Sequence, residues 1–238
     1  MAPATRYEPI GVDGDSFDAY CAVPESGRGP GLLMFQEIFG INDNMRGLAE
    51  RTAGAGYLTL VPDMFWRIER RFERRGEEAM QDAFAMVQRF DWDNAPSDIG
   101  AAHRHLLGMP ECTGKVGAIG FCFGGSLAFL AATRSRVNGK GPDAAVCYYG
   151  SAINDMLSLA DHLDCPTLFH YGNEDPYLPA DKIAQVESAV GQRPNVEIYR
   201  YDGAGHAFSN WDSPSMYNQA AAELAWSRTL EFLDRHLG

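Results

Sequence analysis

Three residues in this chain have the types and the order along the sequence that acyl transfer requires: Cys122, Asp175 and His206. Cys122 stands in GFCFGG, residues 120–125, with Gly120 and Gly124 two positions away on either side. Gly-x-nucleophile-x-Gly between a buried strand and a helix is the pattern of a nucleophile elbow, a turn so tight that its flanks must be small. The turn carries the sulfur at its tip, above the N-terminus of the following helix, where the dipole favours a thiolate. A Gly-rich turn from strand to helix can also cradle a phosphate or simply bury a cysteine, so the hexapeptide alone leaves those readings open. Two later loops decide. PTLFH is followed by YGNEDPYLP, which offers Asp175, and VEIYRY is followed by DGAGHAF, which offers His206. Both loops follow predicted strands, in the order nucleophile, acid, histidine. His206 would take the Cys122 proton or share it as an ion pair, while Asp175 would fix the imidazole tautomer. Glu174 competes for the acid role. Asp175 is preferred because adjacent residues in an extended loop point apart.

The elements that must position these residues are legible as short apolar runs separated by amphipathic stretches. FDAYCAV, GLLMFQ, YLTLV, KVGAI, AAVCYY, PTLFH and VEIYRY read as strands. NMRGLAERTAGAG, EEAMQDAFAMVQRF, APSDIGAAHRHLLG, GGSLAFLAATRS, PADKIAQVESAV and MYNQAAAELAWSRTLEFLDRHL carry helical spacing. This alternation predicts an α/β fold, a mostly parallel central sheet with helices on both faces, in one domain spanning residues 1–238. FDAYCAV and GLLMFQ are joined by a Pro/Gly-rich link too short for a crossover helix, which predicts antiparallel pairing at that edge. Ligands of such a sheet bind beyond the carboxyl ends of its strands, where all three candidate residues fall.

Composition excludes several function classes. With 45% hydrophobic and 22% charged residues over 238 positions, the chain can bury one large core. A formal net charge of -12 opposes nucleic acid and anionic membrane surfaces as partners. No signal-like start and no apolar run near the roughly 18 residues of a membrane span are present, so a cytoplasmic protein with no membrane partner is expected. The five cysteines are scattered without C-x-x-C spacing, which predicts reduced thiols and no zinc site. His103 and His105 are two apart on a predicted helix and diverge, a poor metal pair. Neither a metal nor an organic cofactor is expected. An acidic surface and a self-contained core suit a monomer, with a dimer left open.

With these residues in place, the chain resembles the dienelactone hydrolase (carboxymethylenebutenolidase) family of α/β-hydrolases. The likeness runs from about residue 31 to the C-terminus, through QEIFGIND, AGYLTLVPDMF, KVGAIGFCFGGSLAFL, AVCYYG, PTLFHYGNEDPYLP, DGAGHAFSN and SRTLEFL. QEIFG and G-x-C-x-G-G are its most specific parts. The resemblance implies the α/β-hydrolase fold, a Cys-His-Asp triad and hydrolysis of a small-molecule lactone or ester. It also gives Glu37, in QEIFG, a role that spacing would not: a carboxylate beside the resting thiol that substrate displaces, so that the sulfur ionises only when needed. The oxyanion hole is expected from the backbone N–H groups of Phe123 and Ile38.

The same resemblance marks departures. The family is expected to grip a substrate carboxylate with two arginines, and those positions here hold Asn210 and Met80, with Phe84 and Val87 in place of larger aromatics. Without bidentate guanidinium contacts a carboxylate loses its main anchor. Asn210, Met80, Phe84 and Phe208 are the candidate substrate-binding residues, and Met64, Phe65, Trp66 and Trp211 could add apolar wall. RIERRFERR, residues 67–75, reads as a solvated, salt-bridged helix from which one arginine could reach the mouth of the site. Two rivals to lactone opening are a carboxylesterase or thioesterase acting on neutral esters, and a non-catalytic ligand-binding protein on the same fold.

Overall fold

Eight strands form one sheet in the computed structural model, which describes residues 3–238. They are β1 (Ala4–Val12), β2 (Asp15–Val23), β3 (Gly29–Phe35), β4 (Leu58–Pro62), β5 (Cys112–Phe121), β6 (Ala144–Tyr148), β7 (Thr167–Gly172) and β8 (Val196–Tyr201), in spatial order β1-β2-β4-β3-β5-β6-β7-β8. From β4 to β8 every pairing is parallel, and β1 and β2 are antiparallel. From β3 to β7 the parallel strands are largely buried apolar runs because both their faces are covered, whereas β8 at the edge is half-exposed. Among the described residues there are six α-helices, α1 (Asp43–Gly54), α2 (Met80–Arg89), α3 (Ala95–Gly108), α4 (Phe123–Arg134), α5 (Ala180–Val190) and α6 (Gln219–Leu237), of which α1, α3, α4 and α6 pack on the strands. Period-2 alternation along β3 shows the two layers: a Cβ on Gly31 would meet Leu106 of α3, whereas Leu32 points with Leu237 of α6 to the other face. Arg51 of α1 lies 4.2 Å over the Trp226 ring of α6, which puts α1 on the α6 face. Among the described residues no helix is long and apolar enough to cross a membrane.

Two expectations need correction, and two elements were not anticipated. β2 does run antiparallel, but its partner is β4 rather than β3, since β4 inserts between them. β1 was not foreseen: ATRYEPIGV buries only Ile10 and Val12 fully, the mark of a charged edge strand. Its turn was nevertheless readable, for Asp13 and Gly14 both take positive φ, the conformation of a two-residue Asp-Gly hairpin. The segment 67–75 is not a helix. Its arginines reach outside the segment, Arg67 to Asp98 at 2.7 Å, Arg70 to Asp15 at 2.9 Å and Arg71 to Asp18 at 2.7 Å, and Arg71 itself sits at φ 55. Tertiary ion pairs and a left-handed residue have overridden i, i+4 spacing. A 3-10 stretch, Ile153–His162, was also missed.

A buried polar chain ties α6 to the sheet. His170 of β7 is fully buried; its Nδ1 meets the Tyr201 hydroxyl at 2.8 Å and its Nε2 meets Thr229 Oγ1 at 3.0 Å. Thr229 continues to the Tyr148 hydroxyl at 2.7 Å. Burial pushes the His170 imidazole down to about 3 from its usual 6.5. Unfolding between those pH values therefore takes up a proton, and the His170 contribution to stability is lost as pH falls from 6.5 towards 3. At pH 7, His170→Gln is expected to lower the unfolding free energy by about 2 kcal/mol, because it disrupts a satisfied buried network. Urea transitions at pH 7 and pH 5 should show the gap between wild type and variant narrowing by up to about 1.4 kcal/mol per pH unit.

Candidate active site

The end of β5 sets the position of Cys122. Its backbone takes φ 55 and ψ -117, a strained conformation for a residue with a side chain, and its N–H donates to the Tyr148 carbonyl at 3.0 Å. The turn is closed by backbone contacts that admit no side chain. A Cβ on Gly120 would lie 1.9 Å from the Gly124 carbonyl oxygen, and one on Gly124 would lie 2.1 Å from that of Phe35. The glycines therefore hold β5, α4 and the end of β3 in direct backbone contact. Phe123 opens α4, so its N–H has no acceptor one turn earlier in the helix.

His206 and Asp175 come to Cys122 from the loops after β8 and β7. His206 Nε2 lies 3.0 Å from Cys122 Sγ, and its Nδ1 lies 2.7 Å from Asp175 Oδ2. Asp175 is 4% exposed, and its other oxygen accepts the N–H groups of Tyr177 at 2.8 Å and Leu178 at 3.1 Å. Glu174 is exposed and turned away. The rings of Tyr149 and Tyr177 flank His206 at 5.2 and 5.0 Å. Burial opposes charge on His206, but the neighbouring Cys122 sulfur and the Asp175 carboxylate outweigh it and hold the imidazolium well above the ordinary histidine range.

Glu37 lies on the other side of the cleft, 4% exposed. Its carboxylate accepts from the Tyr149 hydroxyl at 3.3 Å and from the Asn210 side-chain amide, so it is turned to these two groups rather than to the Cys122 sulfur. Burial raises its pKa, an effect that nearby His206 and the two donors only partly offset. Tyr149, fully buried at φ 37, also bonds Ser209 Oγ at 2.6 Å. It joins Glu37 to the histidine loop. Sequence reading passed over Tyr149 and Ser209, although YYGS follows a predicted strand at the sheet edge where ligands bind.

The cleft above these groups holds about 750 Å³, mouth included. Met80, Phe84 and Val87 line it from one face of α2; Phe39, Trp92, Phe123, Tyr177 and Met216 supply further apolar wall. Ile38 and Asn210 also line it. Trp92, Tyr177 and Met216 carried no signal beyond their type. Phe208 corrects an expectation: it is fully buried and packs on Tyr149 and Tyr201 instead of lining the cleft, because its neighbour His206 takes the inward position. Met64, Phe65 and Trp66 are buried in the core, with Phe65 stacked on Phe123 at 5.1 Å, and Trp211 covers Gly47 of α1. Among the described residues no lysine or arginine lines the cleft.

A strained cysteine elbow, a Cys-His-Asp alignment and a buried glutamate in QEIFG sit together at the carboxyl edge of the sheet. Residues 17–237 match the family model described as the dienelactone hydrolase family. The chain belongs to the dienelactone hydrolase family. This hydrolase is 34% identical over 223 residues to a carboxymethylenebutenolidase of Pseudomonas putida, covering 93% of this chain and 92% of that one. It is 32% identical over 222 residues to carboxymethylenebutenolidase 1 of Cupriavidus pinatubonensis (strain JMP 134 / LMG 1197), covering 92% of each. The solved dienelactone hydrolase of Anabaena variabilis ATCC 29413 superposes with a TM-score of 0.73 at 22% identity, and a dienelactone hydrolase-like promiscuous phosphotriesterase from metagenomic libraries with 0.84 at 22%, each over 100% of both chains. These likenesses confirm the α/β-hydrolase fold for the family member described here.

The elbow contacts make Gly120 the position where a single methyl does most damage. Gly120→Ala is expected to cost about 3 kcal/mol or more, since only a backbone shift relieves the clash. Thermal unfolding should place its melting temperature roughly 6 to 12 °C below wild type.

Proposed function

We propose that this family member hydrolyses a lactone or carboxylic ester through a thioester on Cys122. The observation that carries the reading is the unbroken contact from Asp175 through His206 to the Cys122 sulfur, with both ring nitrogens engaged. In this reading His206 holds the proton from Cys122 and the thiolate attacks the substrate carbonyl carbon. The backbone N–H groups of Phe123 and Ile38 stabilise the oxyanion. Collapse breaks the carbon–oxygen bond to the leaving alkoxide, which takes the proton from His206; in a lactone that oxygen stays tethered to the acyl group. Water then gives its proton to His206 and attacks the thioester, and the sulfur departs to complete the cycle. Asp175 keeps Nδ1 protonated and aims Nε2 at the sulfur. Glu37 is a gate whose charge, if turned towards Cys122, would oppose the thiolate; its bonds to Tyr149 and Asn210 keep it aside.

A second reading of the substrate has its own support. The cleft wall is mostly apolar and aromatic, no lysine or arginine among the described residues lines it, and Asn210 spends its amide on Glu37. An acyl group bearing a carboxylate would be desolvated there without a partner. Neutral, aromatic esters fit the wall better than a dienelactone carboxylate, and the substrate-facing residues in this reading are Met80, Phe84, Val87 and Asn210. A reducing cytoplasmic location would keep Cys122 available, in line with five unpaired cysteines.

Two measurements test the mechanism. Initial rates on a carboxylated dienelactone and on a neutral aryl ester should both fall at least about 1000-fold in Cys122→Ala, and the neutral ester should be the better substrate of the wild type. Equal turnover by the variant would remove Cys122 from the mechanism. Iodoacetamide followed by mass spectrometry should alkylate Cys122 well before Cys21 and Cys165, whose thiols burial pushes up to about 11, and before Cys147, which burial raises further.

A further inference from the structure

A second cavity of about 690 Å³, mouth included, adjoins the catalytic cleft. Phe39, Met80, Asn210 and Ser213 line both, so the two spaces share a wall. Beyond that wall the chemistry changes, to Asn42, Asp43, Arg75 and Asp212. Arg75 is the one arginine of the 67–75 segment to line this chamber. Its guanidinium is shared between Asp43 at 2.5 Å and Glu73 at 3.1 Å, and Asp43 also holds Arg46 at 2.5 Å.

This arrangement discriminates by charge. An anionic substituent would find Arg75 already committed to two carboxylates, with Asp212 lining the same cavity. An ammonium group could approach Asp212 but would face the Arg75 guanidinium across the same space. A hydroxyl both donates and accepts, so it can bond a carboxylate oxygen, a guanidinium N–H, an amide or Ser213 without displacing any ion pair. Phe39 and Met80 offer an apolar floor for the carbon–hydrogen face of such a molecule.

We propose that the second chamber is the subsite for the alcohol half of the substrate, and that this half is an uncharged polyol. The inference rests on the reading of Cys122 as the acylated nucleophile. The aromatic cleft then holds the acyl group at Cys122, and the alcohol half extends past Asn210 and Ser213 into the adjoining chamber. When that bond breaks, the polyol oxygen takes its proton from His206 and departs into the chamber. The reverse step is equally defined: a polyol hydroxyl gives its proton to His206, its oxygen bonds the acyl carbon, and the Cys122 sulfur leaves as thiolate. Acyl transfer to a polyol therefore accompanies hydrolysis.

The test compares glyceryl and methyl cinnamate with the full chain, each kcat/KM divided by the ester's rate of alkaline hydrolysis. The normalised glyceryl-to-methyl ratio is expected to be about 10 in wild type, the worth of one or two hydrogen bonds. It should fall several-fold in Asp212→Ala and in Arg75→Ala, both exposed positions. With a nitrophenyl ester as acyl donor, added glycerol should yield more ester product than methanol at equal hydroxyl concentration. A ratio near 1, or faster turnover of the charged glycolate ester than of the glyceryl ester, overturns the polyol subsite. If the nitrophenyl ester still acylates Cys122 in those cases, only this inference falls; if Cys122 is never acylated, the proposed mechanism falls with it.

Discussion

The backbone of Cys122 is held in a conformation that a residue with a side chain adopts only under compulsion, and the compulsion comes from three directions. Gly120 and Gly124 let the strand, the helix and the end of β3 touch through bare backbone. The Tyr148 carbonyl accepts the Cys122 N–H, so the neighbouring strand β6 sets the height of the turn. The strain is supported by the most deeply buried part of the sheet, which is why the site can be precise while its mouth is built from exposed side chains such as Phe84 and Tyr177. The same strand end supplies Tyr149, whose hydroxyl joins Glu37 to the loop that carries His206. Cys122, His206 and Glu37 thus take their positions from one edge of one sheet.

The arginines near this site are held around it rather than within it. Asp98 is buried yet fully served, by the Trp66 indole at 2.9 Å and by both arms of Arg67. Asp63 accepts the N–H groups of Phe65 at 3.1 Å and Arg71 at 2.6 Å, while burial still pushes it up to about 6. These anchors pin residues 62–76 as a strap whose arginines face acids on β2, α1, α2 and α3. The strap also touches the loop that carries Glu37, for Arg74 donates its N–H to the Phe39 carbonyl at 3.0 Å and Glu73 pairs with Gly40. Five arginines close in sequence to one another therefore stay out of the cleft wall, because each finds an acid outside it at lower desolvation cost.

Chemistry was most legible where local backbone geometry dictates residue type. The glycine spacing about Cys122, and the Asp175 and His206 loops each placed after an apolar strand, could be read directly, since an elbow cannot form without small flanks. The resemblance through QEIFG pointed to Glu37, but not to the partners that hold it. Helices and parallel strands were likewise readable from period, because buried strands are apolar throughout and helices show an apolar face. The edge strand β1 was not, for an exposed polar strand has little hydrophobic pattern to reveal it.

The sequence by itself determined the tight cysteine turn, the chain order of Cys122, Asp175 and His206, and the alternation that builds a parallel sheet, because these depend on local turns and on periodicity. Only the tertiary structure decided that Asp175 rather than Glu174 faces His206, that Glu37 leans on Tyr149 and Asn210, that Phe208 belongs to the core, and that Arg67, Arg70 and Arg71 are spent on distant acids. Each of these is a choice among side chains of similar type. It is settled by which partner the folded chain brings within about 3 Å, a distance at which hydrogen bonding outweighs sequence spacing.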